Sequence, residues 1–226
     1  MFRHVKSVLA RYHPREVRFR RSLAERDARY DNEYGVDTGG LTRLKKLNVS
    51  GPNRRFGISY IATPPDEFAR GMAALPIRHE DFTFIDLGSG KGRALLLALD
   101  FKFRALVGVE FARELHETAL ANLGRHSKVE LRCMDVTEFE FPDNPLVVYL
   151  YNPFGPEIMS QIARRLYSSF AASPRPIYVV YLNPFYVDPW LAAGFCVLHR
   201  GEPFVILCPA VNRGSEWLRA WDKPAP

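Results

Sequence analysis

The stretch that most restricts this chain runs from Phe82 to Gly92: an apolar run, Phe82 to Leu87, ending in Gly88-Ser-Gly-Lys-Gly92. A short apolar run that stops at clustered glycines reads as a buried strand entering a tight strand-to-helix turn. Glycine permits backbone conformations closed to other residues, so such a turn can lie close to a ligand. Around it, strand and helix patterns alternate. Strands are expected at Phe82–Leu87, Ala105–Val109, Val129–Met134, Leu146–Leu150 and Ile177–Leu182, with two closing strands at Phe195–His199 and Pro203–Cys208. Helices are expected at Arg93–Asp100, Ala112–Leu123 and Glu157–Ala172, the last with Ile158, Ile162, Leu166 and Phe170 at helical spacing. This alternation predicts an α/β fold, a doubly wound, mostly parallel seven-stranded sheet with helices on both faces and a helical N-terminal extension.

In such a sheet, ligands bind beyond the carboxyl ends of the strands, which directs attention to Asp86, Gly88, Glu110, Asp135, Asn152 and Asn183. The glycine turn departs from the dinucleotide pattern, because its third glycine comes one residue early and an acid, Asp86, closes the strand. It also lacks the Gly-Lys-Ser/Thr ending of a nucleoside-triphosphate loop. A carboxylate is a poor neighbour for pyrophosphate and a good one for a cationic amine, such as the methionyl ammonium of S-adenosylmethionine. Glu110, 22 positions after Gly88, can accept from two vicinal ribose hydroxyls. Asp135 can accept from the exocyclic amine of adenine. Asn152-Pro153-Phe154 can orient a substrate amine by hydrogen bonding and pack an aromatic ring at the reacting centre, which is catalysis by positioning. Asn183-Pro184-Phe185 repeats that pattern one strand later.

The Phe84–Arg93 stretch, Val107-Gly-Val-Glu110 and Asn152-Pro-Phe154 together resemble the class I (Rossmann-like) S-adenosylmethionine-dependent methyltransferases. The resemblance covers residues 60 to about 208. It implies that Asp86 and the turn Gly88, Ser89 and Gly90 hold the methionine part of the cofactor, Glu110 the ribose and Asp135 the adenine. Tyr60-Ile-Ala-Thr63-Pro followed by this turn is similar to the non-SET protein-lysine methyltransferases and to uncharacterised bacterial relatives. Tyr60 and Thr63 are then expected beside the cofactor, and Thr63 is also expected to cap a helix that opens at Pro64. In this family the amino-acceptor loop is usually one proline longer, and Lys91 and Arg93 make the turn more basic than is common.

Composition divides the chain. Residues 1–30 hold nine Lys/Arg against three Asp/Glu, so the net charge of +6 belongs to this arm and the remainder is neutral. The expected division is a basic extension or cap, 1–59, and a methyltransferase domain, 60–226. Within the extension, Arg3–Tyr12 can form a short amphipathic helix that Pro14 ends or kinks, and Gly51-Pro52-Asn53 reads as a break. The favoured activity is methyl transfer to nitrogen, on a protein lysine or a small amine. One alternative is an RNA methyltransferase binding nucleic acid through Arg3, Lys6, Arg11, Arg15, Arg18, Arg20 and Arg21; another is a non-catalytic cofactor-binding or scaffold protein. Cys133, Cys196 and Cys208 lack zinc-site spacing and read as buried thiols of a reducing compartment. No metal, no membrane contact and a cytoplasmic location are the expectations.

Overall fold

The computed structural model describes residues 14–42 and 59–210. The reading of Arg3–Tyr12 as a helix and the break at Gly51 lie outside these residues. The elements are α1 (Pro14–Tyr34), α2 (Pro65–Ala73), β1 (Thr83–Leu87), α3 (Arg93–Leu99), β2 (Ala105–Glu110), α4 (Arg113–Leu123), β3 (Val129–Cys133), β4 (Leu146–Tyr151), α5 (Pro156–Ala172), β5 (Ile177–Leu182), α6 (Asp188–Ala192), β6 (Phe195–Arg200) and β7 (Phe204–Pro209). The expected strands and helices of the sheet domain are all present, shifted by a residue or two at their ends.

The seven strands lie in the order β3-β2-β1-β4-β5-β7-β6. The first five pair in parallel, while β7 runs antiparallel between β5 and β6. Every residue of β1, β5 and β7 is buried, which explains the unbroken apolar runs of β5 and β7; β1 carries Thr83 and Asp86 within its buried run. Side chains alternate between faces. Ile85, Leu87, Val148 and Tyr181 pack under α5 and Trp190, whereas Phe84, Val147, Tyr149 and Val180 pack under α2 and α3. The strand order reverses between β1 and β4. That places the topological switch point, where open α/β sheets bind ligands, beyond the carboxyl ends of those two strands.

Pro14 opens α1, in keeping with the tolerance of proline in a first turn. Two local expectations are corrected. Thr63 is not a helix cap; Pro64 holds that position, Pro65 begins α2, and the Thr63 hydroxyl instead meets the buried Tyr149 hydroxyl at 3.2 Å. Cys133 is exposed, because β3 is an edge strand with no fully buried residue. Cys208 is buried, with its sulfur 3.5 Å from that of Cys196 on the neighbouring strand.

Candidate cofactor and acceptor site

The glycine turn is folded by its own backbone. The N–H groups of Gly88 and Ser89 both donate to the Val109 carbonyl, at 2.8 and 3.0 Å, which ties the turn to the end of β2. Gly88 and Gly90 have φ of +82° and +53°, a region costly for residues with a Cβ. Space is equally restrictive. A Cβ on Gly88 would lie 2.6 Å from Cβ of Pro153, and one on Gly90 would overlap the Tyr60 ring. Gly90→Ala therefore combines a conformational penalty with a steric one. We expect a loss of about 2 kcal/mol in stability and weakened ligand binding, measured by urea unfolding and titration. Wild-type stability in that variant would mean that the Tyr60 ring is free to move away.

Two carboxylates sit at the ends of adjacent strands beside this turn, and both are 4% exposed. Glu110 is the last residue of β2. Its Oε2 accepts from the Gly90 N–H at 2.9 Å and its Oε1 from the Ala112 N–H at 2.8 Å. Burial pushes its pKa up to about 7 against the pull of these N–H groups. Asp86, one residue from the end of β1, shares its face of the sheet with Phe84. Burial, with Glu110 nearby, raises its pKa to about 8. A polar group buried this completely is costly unless something pairs with it.

One cleft brings together Tyr60, Thr63, Asp86, Gly88, Ser89, Glu110, Asn152, Pro153, Phe154 and Asn183. Gly90 is not part of its lining; it lies behind Tyr60 and donates to Glu110. A smaller, mainly apolar slot adjoins the cleft, sharing Gly88, Phe111 and Phe154 with it and adding Val109, Met134, Asp135, Val136 and Ile158. Asp135 caps the short helical turn Val136–Glu138, and its Oδ1 accepts from the Thr137 N–H at 2.9 Å. The structure thus divides the site into an acidic compartment around Asp86 and Glu110 and an apolar slot ending at Asp135.

Asn152 and Asn183 follow β4 and β5, and both adopt the left-handed conformation, with φ of +42° and +51°. Asparagine tolerates this region better than most residues. The Tyr181 hydroxyl donates to Asn152 Oδ1 at 3.0 Å and itself accepts from the Tyr186 N–H at 3.3 Å. This chain orients the Asn152 amide and leaves its oxygen one further lone pair. Phe154 is buried, whereas Phe185 of the second Asn-Pro-Phe loop is 68% exposed. Tyr151 and Tyr181 were not anticipated. Both lie in strand runs whose aromatic residues read as core, and the polar end of Tyr181 is the only hint of another role.

The N-terminal segment meets this site directly. Arg93, the first residue of α3, is 1% exposed and bonds Asp27 and Asp31 of α1 at 2.7 and 3.0 Å. Its guanidinium lies over the Tyr30 ring, 4.5 Å from the centroid. Lys91 reaches Asp37 at 2.7 Å. The two basic residues of the turn are therefore partners of the extension.

No family model matches the chain, and none of the curated proteins matches it in sequence. Among solved structures it is similar to a SAM-dependent methyltransferase from Leishmania major (12% identity, TM-score 0.49, 64% of this chain and 72% of that one). It is also similar to an RNA methyltransferase from Salinibacter ruber in complex with S-adenosyl-L-homocysteine (20% identity, TM-score 0.46, 65% and 91%). A third is human N-acetylserotonin methyltransferase in complex with SAM (13% identity, TM-score 0.44, 61% and 50%). The sheet order, with antiparallel β7 inserted beside β5 and the glycine turn after β1, decides the architecture. The fold is the class I methyltransferase fold. Among the described residues no helix is long and apolar enough to cross a membrane, and no cluster of His, Cys, Asp and Glu is arranged to hold a metal.

Proposed function

We propose that the chain is an S-adenosylmethionine-dependent methyltransferase acting on a nitrogen. The observation that carries this reading is the pair of buried carboxylates, Asp86 and Glu110, flanking one glycine turn and opening on one cleft. Asp86 would pair with the methionyl ammonium, and Gly88 and Ser89 would lie along the methionine. Glu110 would take the ribose hydroxyls on the lone pairs that Gly90 and Ala112 leave free. The apolar slot suits a flat adenine ring, with Asp135 at its end for the exocyclic amine. The chain's own residues supply orientation, and the cofactor supplies the methyl group.

Asn152, held by Tyr181, would accept from a substrate N–H and turn the nitrogen lone pair toward the cleft. Pro153 packs on Gly88, and Phe154 borders both compartments. A protein lysine or a small amine fits this arrangement best. RNA is the second reading, favoured by the exposed Arg18, Arg21 and Arg29 on α1.

Calorimetric titration with S-adenosylhomocysteine and with NAD tests the cofactor. Micromolar binding of the former alone is expected, and tight binding of NAD by folded protein would remove the methyltransferase reading. Incubating cell extract with tritiated S-adenosylmethionine then locates the label in protein, small molecules or RNA. With the substrate so found, Asn152→Gly keeps the left-handed backbone and deletes the amide. A fall in kcat of about 100-fold, with S-adenosylhomocysteine affinity within about threefold, is expected; unchanged turnover would free Asn152 of any role.

A further inference from the structure

We infer that Arg93 is a positioning residue for the cofactor site, acting by locking residues 14–42 against the wall of the cleft; this rests on the proposed cofactor. All three guanidinium nitrogens donate. Nε donates to the Thr38 hydroxyl at 2.6 Å, Nη1 to Asp27 and Nη2 to Asp31. Asp31 in turn accepts from both the N–H and the hydroxyl of Thr38, at 3.1 and 2.6 Å. The surplus negative charge is met by Arg26, which bonds Asp27 at 2.9 Å and the Ala62 carbonyl at 3.3 Å.

Thr38, fully buried, passes this order to the cleft. Its carbonyl accepts from the Tyr60 hydroxyl at 2.5 Å. The Tyr60 ring lies on Gly90, the residue whose N–H Glu110 holds. The backbones of Thr42 and Tyr60 pair in both directions, at 3.1 and 2.9 Å. Ser59, Tyr60, Ile61 and Thr63 then line the same cleft as Asp86 and Glu110. A second fastening lies alongside, where Lys91 bonds Asp37 and the Gly39 carbonyl, and the Asn122 amide bonds the Asp37 carbonyl.

A surface extension has no need of a buried, five-donor cation at the start of the cofactor-binding helix. A solvated arm held by exposed ion pairs would cost less, since burying charges demands near-complete pairing. The arrangement suits a segment whose position must be set accurately relative to the glycine turn. Linkage makes the idea reciprocal. If the docked segment strengthens cofactor binding, the bound cofactor must strengthen docking by the same factor.

The experiment uses the full chain and S-adenosylhomocysteine. Trypsin cleavage after Arg18, Arg21 and Arg29 reports docking of α1, calorimetry reports affinity, and a heat scan reports the sheet domain. In wild type, saturating S-adenosylhomocysteine is expected to slow cleavage in α1 by at least about fivefold, the scale of ordinary site-to-site coupling. Arg93→Met, Asp31→Asn and Tyr60→Phe are each expected to weaken affinity by about tenfold or more and to speed cleavage, while the sheet domain still unfolds cooperatively. Tyr60→Phe keeps the ring on Gly90 and deletes only the bond to Thr38, so it carries the test if Arg93→Met does not fold. Wild-type affinity in folded Asp31→Asn and Tyr60→Phe chains, or cleavage of wild type indifferent to ligand, overturns the inference while leaving the proposed function standing. Failure of wild type itself to bind S-adenosylhomocysteine overturns both.

Discussion

Glu110→Ala is expected to lose S-adenosylhomocysteine binding by at least about 100-fold, nearly 3 kcal/mol, and to unfold at a temperature lower by roughly 6–12 °C. Both effects come from one side chain with two duties. Its oxygens satisfy the buried N–H groups of Gly90 and Ala112. Alanine leaves both donors without a partner, at a cost of about 1–3 kcal/mol each. The same deletion lets the glycine turn drift from β2 and removes the carboxylate proposed to hold the ribose. Glu110→Gln separates the duties. It keeps the volume and one acceptor oxygen but turns an NH2 toward one of the two N–H groups, so stability should fall less than in alanine while affinity still falls steeply. Folded Glu110→Ala protein that binds S-adenosylhomocysteine within about threefold of wild type would show that Glu110 is structural only.

That double duty also marks how far the sequence could be read. The alternation of strands and helices was legible because each element carries its own periodicity. The buried strands β5 and β7 announce themselves as unbroken apolar runs, β4 does so up to the half-buried Tyr151, and β1 is interrupted at its site residue Asp86. Asp86, Glu110 and Asn152 were legible because a strand end in a parallel sheet is a fixed place, whatever the loops do. What escaped is long-range. Nothing near Arg93 announces that its partners lie 62 and 66 residues earlier. The signal was present in a weaker form: Asp27, Tyr30 and Asp31 recur at helical spacing on one face of α1, where two acids and an aromatic ring make a receptor for one buried cation. The net positive charge of the extension masks this acidic face. Thr63 shows the opposite error. Its sequence setting is that of a helix cap, yet a buried tyrosine hydroxyl claims it instead. Local propensity yields wherever a tertiary partner is available.

Binding of S-adenosylhomocysteine should depend on pH, with affinity weakening by about tenfold per unit as pH falls below about 8. In the ligand-free protein, burial raises Asp86 to about 8 and Glu110 to about 7, so both carboxyls carry protons in mildly acid solution. An ammonium group pairs with ionised Asp86, and binding must therefore expel that proton. The expelled proton appears as a buffer-dependent heat in calorimetry. Stability of the free protein moves the other way. The folded chain keeps protons that the unfolded chain releases near the ordinary values of 3.8 and 4.5. The folded state binds more protons between about pH 4 and 8, so ligand-free stability falls as pH rises through that window. S-Adenosylhomocysteine should restore it most strongly at the alkaline end, where both carboxylates are ionised. Asp86→Asn removes the titrating group, and three changes are expected together: weaker binding at pH 8, a flatter pH profile of affinity, and a ligand-free protein that no longer loses as much stability on going from pH 5 to 8. Affinity of wild type that stays level from pH 6 to 8, with no buffer-dependent heat, would place the ligand's ammonium away from Asp86 and require a different cation partner in the cleft.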